Sequence, residues 1–145
     1  MDILATVLIL FAVLESLNIL ILYFWPGTTK GNGVGVFDAF EQSKAYPDIH
    51  ALIRYLINWI AGSKLIFVAL LIVIAVQGDR QTQLLSLGAL MISIGTFYWR
   101  LYPLIRSMDR RGQISPSGYS KTLGLMIAGM LCVMCMALAV YLLSA

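Results

Sequence analysis

The sequence predicts an all-α integral membrane protein: a bundle of four transmembrane helices, running up-down-up-down as one domain over residues 1–145. Three observations predict it. The chain is 60% hydrophobic and 12% charged, against about 45–50% and about 25% in soluble domains. Its apolar residues gather into four runs, about 3–25, 49–76, 83–102 and 123–143. Each run has the roughly 20 residues that cross about 30 Å of hydrocarbon as a helix. The runs also lack the strict alternation of barrel strands, and backbone groups in lipid must satisfy one another, which selects helices over open strands. The same composition excludes a cytosolic enzyme, a disordered tail and a disulfide-stapled secreted module.

The first run follows only Met1 and Asp2, with no basic segment before it, and leads into Phe24-Trp25-Pro26-Gly27 rather than a small-x-small cleavage site. It reads as a span and not as a cleaved signal, with Pro26-Gly27 ending the helix. The loop 26–48 opens with Gly31-Asn32-Gly33-Val34-Gly35. No Gly-Lys-Ser/Thr follows and no strand precedes, so a flexible turn is expected in place of a phosphate cradle. From Val36 to Ala45, Phe37, Phe40 and Lys44 fall at helical spacing. A short interfacial helix with its Phe side chains in the headgroups is expected there. Pro47-Asp48 is expected to stop it and to cap the second span. That span is the longest and should tilt or protrude. After the tight turn Gln77-Gly78-Asp79-Arg80, the third span is expected to run past Pro103 as a kinked helix capped by Gly112. The loop 103–122 carries a basic cluster and the turn-prone Ser115-Pro116-Ser117-Gly118.

Orientation follows from the basic residues. Seven of the ten Lys and Arg mark one side: Lys30, Lys44, Arg106, Arg110, Arg111 and Lys121 follow the first and third spans, and Arg100 stands at the end of the third. The turn on the opposite side holds only Arg80, beside Asp79. The positive-inside rule then places the loops 26–48 and 103–122 in the cytoplasm and both termini outside, in a membrane read as the bacterial cytoplasmic (inner) membrane. Trp25, Trp59, Trp99, Tyr23, Tyr55, Tyr98 and Tyr102 fall toward the basic side, and Tyr141 toward the other. The net charge of +3 therefore reports topology and points to no nucleic-acid partner.

Ionisable groups inside spans are the strongest functional pointers in such a chain. Glu15 lies 13 residues past Asp2, about 20 Å, and Lys64 lies 12 residues before Val76, about 18 Å. The two charges should meet near mid-membrane on sequential, antiparallel helices. A lone charge there costs at least about 2.5–3.5 kcal/mol, so an ion pair or water-bridged contact is expected. Asn18 shares a face with Glu15, Asn58 stands one turn past Arg54, and Arg100 reaches a similar level. Glu15, Asn18, Arg54, Asn58, Lys64 and Arg100 thus form a candidate polar seam. It is either interhelical glue, with Arg54 and Arg100 snorkelling, or a proton, ion or substrate site. Arg106, Arg110 and Arg111 are candidate contacts for anionic headgroups or an acidic partner.

Cys132 and Cys135 form a C-x-x-C in the fourth span, within an apolar run. They are expected to be buried and to act as small hydrophobes. Quinone-coupled thiol oxidoreductases of the vitamin K epoxide reductase kind also place a C-x-x-C among four helices, but carry loop cysteines absent here. His50 is the only histidine; one imidazole builds no multi-ligand metal or haem site, and it is expected to be an interfacial polar residue. No metal site, catalytic set or cofactor is assigned. Small multidrug-resistance transporters likewise carry a glutamate midway along the first of four helices, as Glu15 is placed here. This chain differs in Lys64, in its long first loop and in lacking a Gly-rich third helix.

Three function classes follow. The first is an accessory or structural subunit of a membrane complex. The second is a small oligomeric transporter or channel using Glu15 and Lys64. The third is a membrane enzyme acting on a lipid or quinone. Expected partners are membrane lipids, a second copy of the chain, or a larger membrane complex.

Overall fold

Asp2 starts the first helix: its carboxylate accepts the Ile3 amide at 2.6 Å, and its carbonyl accepts the Thr6 amide and hydroxyl. From there the computed structural model, which describes residues 2–144, is all-helical. Its helices are α1 (Ile3–Phe24), α2 (Asp38–Ser43), α3 (Pro47–Gln77), α4 (Arg80–Gly95), α5 (Phe97–Arg110) and α6 (Tyr119–Ser144). Four helical stretches are long and apolar enough to cross a membrane: α1, α3, α4 with α5, and α6. Among the described residues no strand forms, only an isolated bridge between Phe37 and Ile114.

Small residues set the packing. Ala12 and Ala61 are 1% and 0% exposed, and side chains this small let helix backbones approach closely. Ile57, Ala61, Val68, Leu71 and Ala75 recur at spacings of four, seven, three and four residues along α3 and form its buried face. α1 packs most extensively on α3 and also touches α4 and α6, so it stands at the centre of the helix packing. α5 packs on α4 and α6 and makes no comparable contact with α1. At one end Asp2 pairs with Arg80 at 3.5 Å, and buried Gln83 donates to the Ala75 and Gly78 carbonyls. We call this the turn end.

The other end, the loop end, has its own small core of Val36, Ile105 and Ile114, covered by Phe37, Tyr102 and Met108. The two long loops are clipped together: Asp38 N–H donates to Gln113 O at 3.1 Å and Ser115 N–H to Val36 O at 2.9 Å. The glycine run is therefore a tight knot and not the flexible turn expected. Val34 N–H donates to Pro26 O at 2.7 Å and Gly35 N–H to Thr28 O at 3.1 Å. A Cβ on Gly35 would overlap the Gly27 carbonyl, and one on Gly33 the Thr28 carbonyl.

Other expectations are corrected by packing. Phe40 is 6% exposed and stacks toward His50, with ring centroids 5.5 Å apart, so its ring is not free to dip into headgroups, while Phe37 is partly buried over the loop core. His50 Nδ1 sits 2.9 Å from Ser43 Oγ and so joins α2 to α3. Tyr46, rather than the Pro47-Asp48 pair, is the cap residue of α3, with Pro47 at its first position. The third span does run past Pro103, which lies inside α5, but its helix is interrupted at Thr96. Cys132 and Cys135 are exposed and not buried.

The end of α5 does follow the expected capping. Gly112 takes φ +67°, its amide donates to Asp109 O, and the Gln113 amide reaches back to Met108 O, the paired bonds of a Schellman motif. Asp109, in the last turn of α5 and beyond the apolar part of this span, then caps α6 from outside. Its carboxylate accepts the Gly118 amide at 2.9 Å, the Ser120 amide at 3.0 Å and the Ser120 hydroxyl at 2.6 Å. The Ser120 hydroxyl, then the two amides, hold its carboxyl below the ordinary range. A depressed carboxyl stabilises the fold fully above its unfolded value and loses that contribution as pH falls through its folded one. Asp109→Ala should therefore lower the unfolding temperature in detergent at neutral pH. The gap from wild type should shrink on acidification, as scanning fluorimetry at several pH values would register.

Candidate functional site

Phe11, Glu15 and Asn18 recur at four- and three-residue spacing and present one face of α1. Lys64, midway along α3, reaches across to it: its Nζ donates to Glu15 Oε2 at 2.6 Å. The ion pair anticipated from depth along the two spans is thus present. Its side chains keep 30% (Lys64) and 16% (Glu15) of their surface, and that surface faces two clefts.

The larger cleft, about 900 Å³, lies between α1 and α5 with α6 behind it, and extends from the ion pair to the loop end. Leu14, Leu101, Leu104, Met126 and Met130 supply apolar walls; Asn18, Asn32 and Arg100 supply polar groups. The smaller, about 510 Å³, lies between α1, α3 and α4 toward the turn end, among Leu70, Leu71, Ile74, Ser86 and Leu90. Phe11, Glu15, Lys64, Ser93 and Ile94 line both. The charge pair therefore stands where the two clefts meet.

The break between α4 and α5 explains the larger cleft. Ser93 and Thr96 turn their hydroxyls back onto the Ala89 and Ser93 carbonyls, at 2.8 and 2.6 Å, a habit that bends helices. The Thr96 amide is shared between the Ile92 and Ser93 carbonyls. Beyond the break, α5 is fastened to α6 instead of α1. Tyr98 donates to Gly124 O at 2.6 Å, and the Tyr102 ring occupies the space a Cβ on Gly124 would need. Phe97, Tyr98 and Tyr102 pack edge-on and tilted against one another, which completes the fastening.

Of the six seam residues predicted, Glu15, Asn18, Lys64 and Arg100 line the larger cleft. Arg54 and Asn58 are exposed on α3 and line neither cleft. Arg100 is exposed, with its guanidinium 5.3 Å from the Trp99 ring, and no carboxylate among the described residues pairs with it. Arg106, Arg110 and Arg111 are exposed at the loop end, outside the clefts. Ser93, Thr96 and Asn32 were not among the predicted site residues. The signal for the first two was Ser93-Ile94-Gly95-Thr96, a run of weak helix formers inside an apolar span.

The chemistry available is ionic. A carboxylate and an ammonium in a low-dielectric surrounding hold each other strongly, and a polar group brought up the cleft can compete for either one. The chain matches no protein-family model, no curated protein and no solved structure.

Proposed function

We propose that the protein is a small integral membrane carrier for amphipathic molecules. It admits a polar headgroup into the larger cleft and passes it by the Glu15–Lys64 pair toward the smaller one, while apolar tails stay in the bilayer. The observation that carries this reading is the ion pair at the junction of two largely apolar clefts directed toward opposite ends. An apolar pocket with a few convergent polar groups is the usual form of a small-molecule site, and charges at mid-membrane usually mark a pathway.

The accompanying topology is an up-down-up-down bundle in a bacterial cytoplasmic membrane, with the basic loop end inside and both termini outside. The Asp2–Arg80 pair at one end and the loop bridge at the other support that alternation. The 31 residues of α3 extend about 46 Å, beyond the hydrocarbon thickness of about 30 Å, so its loop-end part projects toward headgroups.

A second reading, the accessory subunit, draws on Arg54 and Asn58, exposed polar groups one turn apart on an apolar helix face that a partner could pair.

The carrier reading is tested by reconstituting the full chain into liposomes containing a tail-labelled fluorescent phospholipid and following quenching by dithionite from outside. Wild type should move the probe across the bilayer well above the rate of empty liposomes. Ser93→Trp, which fills the junction of the clefts, should bring it back to background while the helical spectrum is unchanged. Background movement with wild type would overturn the carrier. Stoichiometric co-purification of a second polypeptide, lost on changing Arg54 and Asn58, would then establish the subunit in its place.

A further inference from the structure

We infer that the headgroup this cleft selects is anionic, and that the cargo is a membrane phospholipid with net negative charge whose phosphate first engages Arg100. The inference rests on the carrier reading and deepens it by naming the cargo.

Charge is the first argument. Three charged residues line the larger cleft, and Glu15 and Lys64 cancel each other. Arg100 is left as its uncompensated charge, unpaired with any carboxylate among the described residues. A planar guanidinium binds phosphate through two parallel N–H donors. Asn18 and Asn32 line the same cleft and add amide donors for further phosphate oxygens. A cationic headgroup finds no free carboxylate there.

Depth is the second. Arg100 lies 20 residues beyond Arg80, about 30 Å along the span, which is the thickness of the hydrocarbon core. With Arg80 at one interface, Arg100 stands at the headgroup level of the other. Seven residues deeper is Ser93, about 10 Å further in, where Lys64 offers a second cation held by Glu15. A phosphate moving inward from Arg100 thus meets a second cation at mid-membrane and competes there with the Glu15 carboxylate. The walls along this path, Leu14, Leu104 and Met126 among them, suit the acyl chains that follow.

The test uses the same liposomes with two probes, tail-labelled phosphatidylglycerol and tail-labelled phosphatidylcholine. Wild type should move the anionic probe about fivefold faster than the zwitterionic one, the preference that one cation near a membrane surface gives. Arg100→Gln should equalise the two rates without stopping either. Arg110→Gln/Arg111→Gln, which removes loop-end charge outside the cleft, should leave the preference in place. Equal rates in wild type would overturn the inference and leave the carrier standing, as would a preference that follows Arg110 and Arg111. Movement of neither probe would overturn the carrier itself.

Discussion

Lys64→Met is expected to destabilise the fold by about 3 kcal/mol, while the double variant Glu15→Gln/Lys64→Met loses about 1 kcal/mol or less. The asymmetry comes from what each change leaves behind. Removing the ammonium strands a carboxylate whose side chain is only 16% exposed and faces apolar clefts. Removing both charges leaves a neutral amide beside a thioether, of similar volume to the original pair. Glu15→Gln alone should fall between, because its amide oxygen can still accept from Lys64. The measurement is unfolding of each variant in mixed detergent–lipid micelles, followed by helical circular dichroism. A Lys64→Met protein as stable as wild type would show that the 2.6 Å contact contributes nothing to holding α1 on α3. The same series bears on the carrier. If the pair is the point a headgroup must pass, the double variant folds yet changes the rate of lipid movement, which a purely structural pair would not do.

The spans and the meeting of Glu15 with Lys64 could be read from the chain because both depend on length. Apolar runs of the right extent mark the four helices long and apolar enough to cross a membrane, and 1.5 Å per residue sets how far along its helix each charge lies. Which helix faces pack together could not be read the same way. In lipid the outward face is as apolar as the inward one, so the periodic contrast that marks a soluble helix is lost. Leu10, Leu17, Ile66 and Leu125 are all exposed, while Leu4, Leu8 and Leu87 are fully buried, and nothing in residue type separates the two sets. Arg54 and Asn58 illustrate the consequence: they were expected in one polar seam with Asn18, yet they are exposed on α3 and line neither cleft. The cysteines illustrate it again, since an apolar neighbourhood in sequence did not mean an interior one. The cleft was hidden for another reason. It arises where α5 parts from α1, which depends on hydroxyls bonding back at Ser93 and Thr96 and on Tyr98 finding the Gly124 carbonyl. The first is local and left a trace in the Ser93–Thr96 run. The second joins residues 26 positions apart and left none.

Gly35→Val is expected to destabilise the loop end by about 2–3 kcal/mol, the usual range for forcing atoms into filled space. Here the obstruction is backbone. The added Cβ would overlap the Gly27 carbonyl and crowd that of Thr28, to which the Gly35 amide donates at 3.1 Å. Relief requires the 26–28 and 33–36 segments to separate, which also weakens the Val34 to Pro26 bond of 2.7 Å. Because Val36 accepts from Ser115 and is fully buried with Ile105 and Ile114, the disturbance passes into the clip between the two loops. The helices themselves do not depend on it, so the variant should keep its helical spectrum while residues 27–37 become sensitive to added protease. Gly88→Ala supplies the control: a Cβ there meets nothing within 4 Å, and a helical Gly→Ala change gains about 0.5–1 kcal/mol. Should Gly35→Val resist protease as wild type does, the knot would have no part in closing the loop end. Asn32, Gly33 and Phe37 line the larger cleft from this same segment, so its loosening removes one wall of the site. The carrier reading then requires that lipid movement change in Gly35→Val and stay unchanged in Gly88→Ala.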